Sequence, residues 1–141
     1  MTPAQIHIVR KSFASIAGER DRASALFFAS LFEIDPSLRR LFPGDLRRCG
    51  AKLMHAVGLI VEDLHRLHIF VPALEALAIR YSGYGFEQSD YALVGDALAR
   101  TARTLLGDNF TGEVEAALHH VYGELASVMM NAAPEDFRLA A

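Results

Sequence analysis

Apolar residues recur along this chain at intervals of three and four, the spacing of one face of an α-helix, and nowhere alternate long enough to mark a β-strand. Ile6, Val9, Phe13 and Ile16 make the first stripe. Thr2-Pro3-Ala4-Gln5 starts it: Thr2 caps, Pro3 stands where a missing N–H costs nothing, and Gln5 completes a capping box, while Gly18 ends the run. A second helix carries Leu26, Phe27, Phe28, Leu31 and Phe32 until Asp35-Pro36 stops it, and a short turn then runs to Phe42-Pro43-Gly44. Leu53, Val57, Ile60, Val61 and Leu64 form the stripe of a third helix. Pro72 opens another, with Leu74, Leu77 and Ala78 on one face, and the same progression lands on Tyr81, which is thereby read as pointing inward. Gly83 and Gly85 break that helix. Ser89 is read as the cap of a helix whose inner face is Tyr91, Val94, Leu98, Thr101 and Leu105, closed by Gly107-Asp108. Thr111 opens the last, with Val114, Leu118, Val121, Tyr122, Leu125 and Met129 inside. The pattern predicts an all-α domain of six to eight helices with short connections.

Composition narrows this picture. The 141 residues fit one domain, and 52% of them are hydrophobic against 22% charged, an apolar balance that suits a large core or a ligand surface. A net charge of −3 argues against a nucleic-acid partner, and the one basic cluster, Arg39, Arg40, Arg47 and Arg48, reads as a solvated rim. No run is long and apolar enough for a membrane span or an export signal. A single cysteine, Cys49, excludes an internal disulfide, so a cytoplasmic setting is expected. Residues 1–131 are taken as the folded domain and 132–141 as a C-terminal tail.

The order and punctuation of these helices resemble the bacterial single-domain haemoglobins and the globin module of flavohaemoglobins. The likeness rests on TPAQI at the start, FFASLFEIDPSLRRLF at 27–42, KLMHAVGLIV at 52–61, LHIFVPALEALAIRYSGYG at 67–85, YALVGDALARTARTLLGDNF at 91–110 and VYGEL at 121–125. It implies a three-over-three helical sandwich around a haem b pocket, with diatomic ligands as the small partners. Phe42 matches the phenylalanine that the family stacks on the porphyrin. Leu53 matches the apolar residue over the distal face, and Tyr91 a tyrosine near the proximal ligand. Leu77 and Tyr122 fall at further pocket positions.

The departures are more telling. The family's proximal histidine lies in an arginine-histidine pair followed, after two residues, by Tyr-Gly; in this chain that position is Tyr81. The usual distal tyrosine and glutamine align with Phe28 and Cys49. The glutamate that polarises the proximal histidine falls near Ala133, with Glu135 only roughly in register. Three readings of Tyr81 follow. It binds haem iron as a phenolate, as tyrosine does in catalases, which favours ferric iron and suits redox or ligand sensing more than oxygen carriage. The domain has instead lost haem and fills the pocket with its own side chains as an interaction module. Or one of His7, His55, His65, His68, His119 and His120 substitutes, although none lands at a ligand position. The first reading is preferred. No nucleophile–base constellation marks an enzyme; the phenolate reading suits at most a weak peroxidase-like activity. The nitric oxide oxidation that the resemblance implies is expected to be slow at best, since it needs a reductase domain that 141 residues do not hold. His65-x-x-His68 reads as solvated, and the last two helices are candidates for a homodimer face.

Overall fold

The computed structural model describes residues 1–132, which form six α-helices: α1 (Pro3–Ile16), α2 (Arg20–Ile34), α3 (Leu46–Glu62), α4 (Val71–Gly83), α5 (Asp90–Leu106) and α6 (Gly112–Ala132). Short 3-10 segments at Ala17–Glu19, Pro36–Leu41, Leu64–Phe70 and Gly107–Asn109 make most of the connections. There is no strand among the described residues. Ala132 closes α6, and Ala133 and Glu135 lie outside the described residues.

The helix starts follow from their first residues. The Thr2 hydroxyl accepts from the Gln5 N–H at 3.1 Å while the Gln5 side chain accepts from the Thr2 N–H at 2.9 Å, the reciprocal box read from the sequence. Asp35 accepts from the Ser37 N–H and Asp45 from the Arg47 N–H, which starts the 3-10 turn and α3 respectively. Thr111 accepts from the Val114 N–H at 3.2 Å. Ser89 departs from expectation: its side chain makes no capping bond, and the buried Asp90 carboxylate accepts from the Glu87 N–H at 2.8 Å instead.

Two interior clusters hold the helices together. One joins Phe27, Phe28, Leu31, Leu38, Leu41 and Ala97, and packs α2 and the 3-10 turn after it against α5. The other joins Val9, Leu64, Ala117 and Val121, and packs α1 against α6. Leu31 and Ala97 are both fully shielded from solvent. Where α2 crosses α3 the backbones come so close that a Cβ on Gly50 would meet the Ser24 Oγ at 2.6 Å, so this crossing requires glycine. A second close approach brings the Tyr122 ring of α6 within 2.9 Å of where a Cβ on Gly95 of α5 would stand.

Candidate functional site

The packing is uneven in one place. α3 packs on α2 and α4 packs on α6, while α3 and α4 are not among the closely packed helix pairs. At this corner the crevice is an apolar cluster of side chains of intermediate exposure, Phe42, Leu46, Cys49 and Leu53 on the α3 side and Tyr81 and Phe86 on the α4 side, packed against the core that contains the buried Phe28. Most interiors are filled to crystal-like density. Here a contiguous apolar lining is only half-covered.

Aromatic rings dominate the floor. Phe42 stands edge-on to Phe28 with centroids 5.1 Å apart, and Phe28 stacks on Phe32 at 5.7 Å. Phe42 meets Tyr81 at 6.1 Å, and Tyr81 meets Phe86 at 6.3 Å. Phe86 in turn stands edge-on to the buried Tyr91 at 4.7 Å. These separations fall in the range at which aromatic pairs attract beyond their buried area. Behind Tyr91, the Tyr122 hydroxyl donates to the Tyr91 carbonyl at 2.7 Å and ties α6 to the start of α5. Burial pushes the Tyr122 phenol well above its ordinary range, with Tyr91 and Asp96 acting in the same direction.

Tyr81 reaches its place through the end of α4. Its carbonyl accepts from the N–H groups of Tyr84 and Phe86, at 3.0 and 2.9 Å, so the RYSGYGF segment folds back and carries Phe86 under the Tyr81 ring. Gly85 makes that reversal with φ of +95°, a conformation that strains any residue with a Cβ. Arg40 fixes the corner from across the molecule: it donates to the Gly85 carbonyl at 3.1 Å and to the Ser37 carbonyl at 2.6 Å. Arg39 likewise donates to the carbonyls of Phe42 and Gly44 and holds the Phe42 corner. Half of the basic cluster read as a solvated rim therefore buttresses the crevice.

The Tyr81 hydroxyl has no hydrogen-bond partner among the described residues. Burial holds its phenol above the ordinary range, and the facing Cys49 sulfur adds to this when it is charged. Of the residues singled out in the sequence, Phe28, Phe42, Cys49, Leu53 and Tyr81 meet in one cluster, and Tyr91 and Tyr122 form its supporting layer. Leu77 stands apart, 38% exposed one turn before Tyr81, rather than on the inward face with Leu74 and Ala78. All six histidines are exposed, and no group of three metal-ligating side chains occurs among the described residues. Periodicity alone did not single out Phe86, nor give the two arginines a role at the site. For Phe86 the signal was its position directly after the Gly85 turn.

Comparison with known proteins agrees with this architecture. The Globin family model matches residues 25–129. A flavohemoprotein of Rhodopirellula baltica is 23% identical over 128 residues, which cover 89% of this chain and 31% of that protein, so the chain spans about a third of the length of such relatives. Leghemoglobin alpha of Phaseolus vulgaris is 29% identical across 93% of this chain and 96% of its own length. Among solved structures, an engineered carbene transferase from Rhodothermus marinus superposes with a TM-score of 0.87 at 21% identity, covering 99% of this chain and 98% of that one. The family match over residues 25–129 and the order of the helices lead to one assignment: the chain belongs to the globin family.

Proposed function

We propose that this chain is a haem-binding globin whose crevice between α3 and α4 takes the porphyrin, with Tyr81 as the iron ligand. The observation that carries the proposal is a half-buried phenol without a hydrogen-bond partner, set in an apolar crevice that two helices leave unpacked. The names of its relatives, flavohemoprotein and leghemoglobin, support haem as the planar group. Phe42, Leu53 and Phe86 would hold the porphyrin faces, and Cys49 would stand on the side opposite Tyr81. Bound iron would supply a site for small ligands, and an anionic oxygen donor favours its ferric state. That preference suits ligand or redox sensing more than oxygen carriage.

One observation favours a second reading, a haem-free globin fold that fills its crevice with its own rings. A planar group between two rings needs about 3.5 Å on each face, roughly 7 Å in all. Phe42 and Tyr81 are 6.1 Å apart. Haem entry thus requires Tyr81 to turn away from Phe42. Titration of the purified protein with haemin decides between the two. A saturable Soret change at one equivalent, with ferric phenolate bands that Tyr81→Phe abolishes, supports the first. No saturable change supports the second, and the same spectrum in wild type and Tyr81→Phe removes Tyr81 as ligand.

A further inference from the structure

The other face of α3 carries a second concave site. His55, Gly58, Leu59 and Glu62 turn away from the crevice and, with Arg10 and Phe13 of α1 and Arg20 at the start of α2, line an open groove of about 470 Å³. Two independent features of the lining stand out. Neither Arg10 nor Arg20 makes an ion pair or hydrogen bond to any described residue. Leu59 is 47% exposed, one of the few large apolar side chains left in solvent. Cationic heads and an apolar surface without partners thus share one groove. Gly58 keeps it open: a Cβ there would reach ordinary contact with the Phe13 ring at 3.5 Å and the Arg20 guanidinium at 3.7 Å.

We infer that this groove binds a monocarboxylate with an apolar body, of the medium-chain fatty-acid class. Charge sets the count. Arg10 and Arg20 against Glu62 leave one net positive charge, which a single carboxylate neutralises. A guanidinium offers that carboxylate two parallel N–H donors, a geometry that a neutral alcohol head cannot match. Phe13, Gly58 and Leu59 provide the surface for the tail, and covering Leu59 adds the favourable burial that a bare anion lacks. The inference is independent of haem, since the groove shares no side chain with the crevice.

Octanoate below its micellar concentration is the probe, followed by calorimetry on the full chain, with acetate and octanol as the head-only and tail-only controls. Octanoate binds at one site per chain, and both controls bind at least about tenfold more weakly, because a hydrogen bond to a charged group is lost with either guanidinium's partner and burial is lost with the tail. Arg10→Gln and Arg20→Gln each weaken octanoate by about tenfold. Gly58→Val fills the groove and abolishes binding, with the helical circular dichroism of all three variants retained. Octanoate that the two arginine variants bind as well as wild type, or that haemin displaces competitively, occupies another site and overturns the inference.

Discussion

Where α2 meets α5 the interior is shut; where α3 meets α4 it is ajar. On the shut side Leu31, Leu38 and Ala97 have essentially no exposure, and α2 approaches α3 so closely that Gly50 has no room for a Cβ. On the open side Phe42, Cys49, Leu53, Tyr81 and Phe86 are all half-covered, and Leu77 is exposed at the margin. Both sides are apolar, so hydrophobicity does not separate them. The difference lies in whether helix packing is completed. The shut side commits its apolar surface to a closed core, and on the open side part of that surface stays exposed. Removing atoms should therefore cost much on the first side and little on the second.

The largest effect falls at Leu31. Its side chain is fully enclosed between α2, α5 and the turn at Pro36–Leu41. Leu31→Ala leaves a cavity that the neighbours fill only in part, and should lower unfolding stability by about 2–5 kcal/mol in urea titrations. Next comes Gly50→Ala. The new Cβ would stand 2.6 Å from the Ser24 Oγ and 2.7 Å from the Ser24 Cβ, so the helices must part, at about 1–3 kcal/mol. A smaller loss for Gly50→Ala than for an exposed-site control would mean that the crossing is looser than it is drawn here.

How much of this contrast could be read from the chain follows from the same physics. The all-α class, the capping box at Thr2–Gln5 and the ends of α2 and α5 were legible because each rests on residues adjacent in sequence. The small buried residues were not. Ala23, Ala97, Ala117 and Ala126 form much of the interior, yet an alanine carries little weight in a stripe of large apolar residues. Leu77 was assigned inward because its spacing fits the face of Leu74 and Ala78, whereas in the folded chain those two are buried and Leu77 lies at the exposed margin of that face. Arg39 and Arg40 were read as surface charge, since their partners are backbone carbonyls that only the folded turn brings near. The inward direction of Tyr81 was legible. Its lack of a hydrogen-bond partner was not, because that is a property of the whole surrounding wall.

Between the two extremes stands Tyr122, part of the layer behind the crevice. Tyr122→Phe removes the bond to the Tyr91 carbonyl and should cost about 1 kcal/mol. Its pH dependence provides a sharper signature. The folded-state pKa of Tyr122 is raised above the unfolded value near 10, so its contribution is intact below that value and declines as pH climbs above it. Wild type should lose stability above about pH 10, while Tyr122→Phe should lose less over the same interval. Parallel decline in both proteins would assign the alkaline sensitivity to another group.

The smallest stability effect and the largest effect on binding should coincide at Tyr81. Its hydroxyl has no protein partner to orphan, so Tyr81→Phe should change unfolding stability by less than about 0.5 kcal/mol. Haemin binding is another matter. Without metal, burial keeps the phenol protonated beyond the usual pKa of 10. Coordination as phenolate must release that proton, so below the raised pKa the association constant for haemin should increase about tenfold for each pH unit. In Tyr81→Phe there is no proton to release and the dependence should be flat. A steep slope in the wild type alone would tie affinity to the phenol itself. Equal slopes would assign the proton to haemin or to Cys49, and would leave Tyr81 as one more ring filling the open side.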